Sequence, residues 1–161
     1  MKFEKISREQ YEKDMNGKFD IPYEDIKLPH RGTAYSAGYD IYSVADFTLL
    51  PGEHILLPTG IKVELDMDKW LQVLPRSGNG FKYGAVLANT VGVIDADYYN
   101  NPNNEGHMWI KILYPKHSVS DKPLVVKRGD AICQGILSKY YLAEDDDADG
   151  VRIGGFGSTG N

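Results

Sequence analysis

The sequence is poor in several features that would place it in a class at once. It has one cysteine, Cys133, which excludes an internal disulfide and suits a reducing compartment. No apolar run is long enough to span a bilayer, so no membrane attachment is expected. The opening residues, MKFEKISREQ, lack the apolar stretch of a secretory signal, and a cytoplasmic protein is expected. Positive charge is short: 18 Lys and Arg face 23 Asp and Glu, a formal net charge of -5. That balance speaks against a nucleic-acid polymer as ligand, because such proteins present a basic face. It leaves room for a single nucleotide, which needs only a local cluster of donors. Histidines stand at 30, 54, 107 and 117 with no ligand spacing, so zinc is not expected.

What is present reads as β structure. A chain of 161 residues suits one domain with a real core. Only residues 7 to 16, SREQYEKDMN, read as a helix: Ser7 and Gln10 form a capping box and Asn16-Gly17 is a stop signal. Its wide polar face predicts packing on the outside. From Ile21 onward, short apolar or β-branched runs alternate with turn residues, as in YEDIKL, YDIYSV, HILL, GIKVEL, WLQVL, GAVLAN, MWIKILY and AICQGILSKYYL. Many short strands at such spacing predict a sandwich, jelly roll or barrel. The acidic run EDDDADG, residues 144 to 150, reads as a solvated hinge. Asp145, Asp147, Asp149 and Gly150 match the opening of a calcium loop, but the twelfth position is Phe156 instead of a bidentate Glu, and calcium is rejected.

Four segments carry candidate chemistry, each with a plainer explanation beside it. PRSGNG, residues 75 to 80, offers the forked cation Arg76 and the hydroxyl and amides of Ser77-Gly78, a grip for oxyanions. It could equally be a turn with a surface Arg. GVIDADYYN places Asp95 at the end of an apolar strand, where a carboxylate can take a proton from water; Asp is also an ordinary turn residue. AGYDIYS sets Asp40 among apolar neighbours, facing a metal, paired with an Arg, or merely structural. The ending RIGGFGSTGN could wrap phosphate oxygens with its amides and hydroxyls while Phe156 stacks on a base. Alone, it reads as a loose tail.

Taken in order, AGYDIYS, PRSGNG, LANTVGVIDADYY, RGDAICQ and GGFGSTG resemble the five motifs of the homotrimeric dUTP diphosphatases, or dUTPases, over roughly residues 24 to 161. The resemblance implies an all-β, distorted jelly-roll barrel, with residues 1–150 forming the domain and 151–161 a flexible lid. It implies a threefold trimer whose active sites are each built from three subunits, the lid crossing to a neighbour. The implied reaction is hydrolysis of dUTP to dUMP and pyrophosphate. Carried over residue by residue, Asp95 orients and deprotonates the attacking water. Asp40 holds Mg2+ through a water ligand. Arg76, Ser77, Gly78 and Gln134 grip the phosphates. Asn89 and the backbone of residues 88 to 94, Val93 included, read the uracil edge. Tyr98 packs beneath the deoxyribose and excludes a 2′-hydroxyl. Phe156 covers the base, and Arg152, Gly157 and Ser158 meet the outer phosphate.

The chain departs from the family's pattern in places. Ala131 stands where an Arg is usual in the fourth motif, with Arg128 nearby. Arg152 stands one residue nearer the glycines than usual. The Gly expected soon after Tyr98 is displaced by NNPNNEG, residues 100 to 106, leaving Gly106 as the candidate. Two rivals follow. One is a dCTP deaminase-type enzyme of the same fold, disfavoured because no Glu follows Asp95 before Glu105. The other is a nucleotide-dependent regulator of a protein partner, for which the N-terminal helix and the 100–106 insertion are the spare surfaces.

Overall fold

Side chains on a strand alternate between faces, and burial along Ile61–Glu64, Lys69–Pro75 and Trp109–Leu113 follows that period of two. In a computed structural model, which describes residues 1–17, 19 and 21–155, these strands form an all-β molecule with two short helices. In chain order they are β1 (Lys2–Lys5), α1 (Arg8–Met15), β2 (His30–Arg31), β3 (Tyr39–Tyr42), β4 (Phe47–Leu49), β5 (His54–Pro58), β6 (Ile61–Glu64) and β7 (Lys69–Pro75). Then come α2 (Ser77–Tyr83), β8 (Val86–Leu87), β9 (Gly92–Asp95), β10 (Trp109–Leu113), β11 (Leu124–Val126) and β12 (Ala131–Lys139). Every pairing is antiparallel: β1 with β6, β4 with β11, a sheet β5-β10-β8, and a sheet β2-β3-β12-β7-β9. The inward faces of these sheets share one core, in which Ile41, Leu57, Leu71, Val73, Tyr114 and Cys133 are all but sealed from solvent. Cys133 is a free, buried thiol, as a small core residue should be, and burial pushes its pKa up.

Strand β7 is the spine on which the candidate site residues hang. One half pairs with β9, Trp70 facing Asp95 and Val73 facing Gly92. Its other edge pairs along its length with β12, from Lys139 opposite Lys69 to Cys133 opposite Pro75. Across β12, Gln134 faces Asp40 of β3.

The expected helix forms as read. The Ser7 hydroxyl accepts the Gln10 amide at 3.1 Å, and Asn16 closes the end in the left-handed conformation at φ 41°. One side of α1 is exposed, as expected, while Tyr11 and Met15 are buried and the Tyr11 hydroxyl donates to the Ile21 carbonyl at 2.7 Å.

Two expectations are corrected. YEDIKL is no strand: Pro22 opens a single 3-10 turn at Tyr23–Asp25 and the chain then runs irregularly. PRSGNG is no plain turn: Ser77 begins α2, with Arg76 as its N-cap residue. Two glycines lower its helix propensity, so the sequence conceals it. Tertiary contacts hold it instead. The Ser118 hydroxyl caps the Tyr83 carbonyl, and the Tyr83 ring meets Tyr114 edge-on at 6.2 Å. Among the described residues no helix is long and apolar enough to cross a membrane.

Candidate active site

At the end of β9 the chain turns sharply. Asp95 leaves the strand, and one 3-10 turn, Ala96–Tyr98, carries Tyr98 inward until it is 7% exposed. A cavity of about 300 Å³ opens between this turn and the sheets. Asn89, Val93, Asp95, Tyr98 and Trp109 line it, and Arg152 and Gly155 of the tail close one side. That volume is at the lower end for a small-molecule site. The turn leading into β9 is strained: Thr90, a β-branched residue, is held at φ 65°, which costs energy and is common where a ligand is clamped.

Tyr98 is fixed at its far end. Its hydroxyl donates to the His107 carbonyl at 2.9 Å and accepts from the Asn104 amide at 2.8 Å. Burial pushes the Tyr98 phenol up, so it stays neutral and can donate. Residues 100 to 107 form a tight loop around it. Asn101 accepts from the Asn103 and Asn104 amides and donates to Asn104 Oδ1 and to the Tyr98 carbonyl. Gly106 has φ +82°, and a Cβ there would stand 2.6 Å from the Tyr98 carbonyl oxygen. The place of the glycine expected soon after the tyrosine is therefore taken by Gly106, through a longer loop.

His107 is fully buried. Its Nε2 accepts the Gly60 amide at 2.8 Å, so the proton sits on Nδ1, which donates to Asp14 of α1 at 2.5 Å. Burial holds the ring's pKa below its ordinary value of 6.5, against the opposing pull of Asp14. The lone pair needed for the Gly60 contact agrees with that direction.

Electrostatically the mouth of the cavity is a pair of carboxylates under a guanidinium. Arg152 donates to Asp95 Oδ2 at 2.6 Å and to Asp97 Oδ1 at 2.7 Å. Gly155 lies flat on the Tyr98 ring, where a Cβ would stand 2.6 Å from Cε2. The expected phosphate contact of Arg152 is thus occupied, within this chain, by its own carboxylates.

The other expected residues gather elsewhere. Asp40 Oδ1 lies 3.2 Å from Arg76 Nε, and Gln134 sits opposite Asp40 and donates to the Pro75 carbonyl at 3.2 Å. Ser77 and Gly78 follow directly at the start of α2. Arg76 lies six steps of extended chain beyond Trp70, which pairs with Asp95, and at ~3.3 Å per residue that is ~20 Å. Within this chain the Asp95 pocket and the Arg76 cluster therefore stand well apart. Arg128 pairs with Asp25 at 3.5 Å. Phe156, Gly157 and Ser158 lie outside the described residues.

Sequence reasoning missed Asn101, Asn104, His107 and Asp14. The run of asparagines around a proline hinted at a structured loop, but the Asp14 contact spans 93 residues and leaves no local trace.

The comparisons with known proteins agree in kind. The sequence model of the dUTPase family matches residues 24–160. The deoxyuridine 5'-triphosphate nucleotidohydrolase of Lactococcus lactis subsp. lactis (strain IL1403) is 42% identical over 137 residues, covering 84% of this chain and 89% of its own. That of Desulfitobacterium hafniense (strain DSM 10664 / DCB-2) is 38% identical over 142 residues, covering 83% and 87%. The crystal structure of dUTPase from Streptococcus mutans superposes with a TM-score of 0.69 at 35% identity, over 89% of this chain and 99% of that one.

Proposed function

The chain belongs to the dUTPase family and hydrolyses dUTP, and on that premise we propose that Asp95 is the base in a site shared between copies of the chain. The observation that carries this reading is the position of Asp95. It stands at the mouth of a nucleoside-sized cavity whose wall is the buried Tyr98. The base enters beside Asn89 and Val93, and the sugar rests on the Tyr98 ring. A water beside Asp95 attacks the α-phosphorus. Its proton passes to the carboxylate while the bond from that phosphorus to the bridging oxygen breaks, releasing dUMP and pyrophosphate.

The phosphate-gripping residues Arg76, Ser77, Gly78 and Gln134 come from another copy, because ~20 Å of β7 keeps them from their own Asp95. A closed homotrimer with three equivalent sites satisfies this division. When substrate enters, its charge competes for Arg152, which leaves Asp95 free to accept a proton. We assign Phe156 to the base, and Gly157 and Ser158 to the outer phosphate.

Among the described residues no cluster of three or more His, Cys, Asp or Glu could hold a metal. Asp40, a hard oxygen donor with one carboxylate oxygen not facing Arg76, would hold Mg2+ through a water ligand. Such an ion would neutralise charge on the phosphate oxygens.

The test is pyrophosphate release from dUTP, UTP, dCTP and dTTP by the intact protein and by Asp95→Asn. Turnover selective for dUTP, reduced about 10²–10⁴-fold in the variant while dUTP still binds, is expected. Undiminished turnover by Asp95→Asn would remove the base from this reading.

A further inference from the structure

The family model begins at residue 24, so β1 and α1 lie outside it, yet α1 is bonded to the loop that holds Tyr98. Ser7 donates to Glu105 through its amide at 2.9 Å and its hydroxyl at 2.5 Å. Asp14 accepts from the buried His107 ring. Lys62 adds a bond to Asn100 at 2.6 Å and an ion pair with Glu105 at 3.2 Å. These contacts clamp both ends of a loop whose centre, Asn104, donates to the Tyr98 hydroxyl and accepts the Gly106 amide at 3.1 Å. Asn104 is 9% exposed and does not line the cavity, so it reaches substrate only through Tyr98.

We propose that Asn104, braced by α1 through Asp14 and His107, is a positioning residue that sets sugar discrimination by locking the Tyr98 ring. The proposal rests on Tyr98 facing the sugar, as argued above. A wall can reject one extra hydroxyl only if it cannot yield. The Tyr98 ring is bound by its neighbours at the hydroxyl end, and freeing that end would let it tilt and admit a 2′-hydroxyl. Ground-state binding of dUTP, which needs no rigid wall, changes less. The helix thereby acts on specificity from outside the cavity.

The experiment measures kcat/KM for dUTP and UTP in Tyr98→Phe, Asn104→Ala, their double variant, Asp14→Ala and the exposed helix control Glu12→Ala. Losing one buried hydrogen-bond partner should lower the dUTP preference by about tenfold in Asn104→Ala and similarly in Tyr98→Phe. If Asn104 acts through the hydroxyl, the double variant should lose no more than Tyr98→Phe alone, in which the bond to the His107 carbonyl is gone as well. Asp14→Ala should move the preference the same way, and Glu12→Ala should not. An unchanged preference in Asn104→Ala, or a double variant showing the product of the two single losses, overturns the proposal. An unchanged preference in Asp14→Ala alone removes the brace. Tyr98→Ala separates the two levels: if it too leaves the preference intact, the sugar role of Tyr98 has failed and the proposal falls with it, whereas a preference lost in Tyr98→Ala but kept in Asn104→Ala overturns the role of Asn104 alone.

Discussion

Replacing Gly106 with Ala is a perturbation whose consequence follows from the local backbone geometry and the cost of relieving it. The residue sits at φ +82°, and its new methyl would meet three backbone atoms: the Tyr98 oxygen at 2.6 Å, Tyr99 Cα at 3.0 Å and the Tyr98 carbonyl carbon at 3.2 Å. Backbone cannot swing aside as a side chain can. The left-handed conformation costs an alanine about 1–2 kcal/mol. Relieving the collision strains the Gly106–Asn104 hydrogen bond and the Asn100–Glu105 backbone bond, at about 1 kcal/mol each. A stiffer unfolded chain returns about 0.5–1 kcal/mol. The net loss is about 2–3 kcal/mol, which at this chain length lowers Tm by about 4–12 °C. Thermal melts by circular dichroism, at one protein concentration because assembly couples to Tm, provide the measurement. Gly150→Ala is the control: that position is exposed, has no strained φ, and a Cβ there meets nothing within 4 Å. It should leave Tm unchanged. A fall of less than ~2 °C in Gly106→Ala would show that the loop yields easily, and the argument for a rigid Tyr98 would fall with it.

Further expectations concern assembly and pH. Mixing inactive Asp95→Asn with inactive Arg76→Ala and allowing subunits to exchange should restore part of the dUTP turnover, since some sites would then combine intact halves; no recovery in exchanged material would refute a shared site. His107 gives a pH signature. Its folded pKa lies below the ordinary 6.5, so the unfolded chain binds the proton more readily. Its contribution to stability is complete above 6.5 and is lost as pH falls below that, by at most about 1.4 kcal/mol per unit for one proton. Denaturant melts of the intact protein and of His107→Gln between pH 7.5 and 5.5 should diverge, the variant being less stable at pH 7.5 but flatter with pH. Equal slopes would place the titration elsewhere.

Comparison of particular residues shows how far the chain's order of residues leads. The cap at Ser7 and the stop at Asn16 are local chemistry, and α1 forms between them. The alternating runs that become β6, β7 and β10 are legible because the period of two is local as well. The short helix α2 is not, because its glycines oppose it and its support comes from Ser118 and Tyr114, more than thirty residues away. Asn89, Val93, Asp95, Tyr98 and Arg152, picked out by motif, do meet around one cavity. Asp40, Arg76 and Gln134, picked out the same way, meet each other across β3, β12 and the end of β7 instead.

The amino-acid order by itself therefore determined the strand-rich class, the first helix, and which groups are candidates for chemistry, since each depends on neighbours within a turn or a motif. Tertiary structure alone decided which of those groups can act together. The length of β7 sets the Asp95 pocket apart from the Arg76 cluster, and a carboxylate on α1 reaches a histidine 93 residues away to steady the loop behind Tyr98. Distances of that kind are properties of packing, which no local pattern encodes.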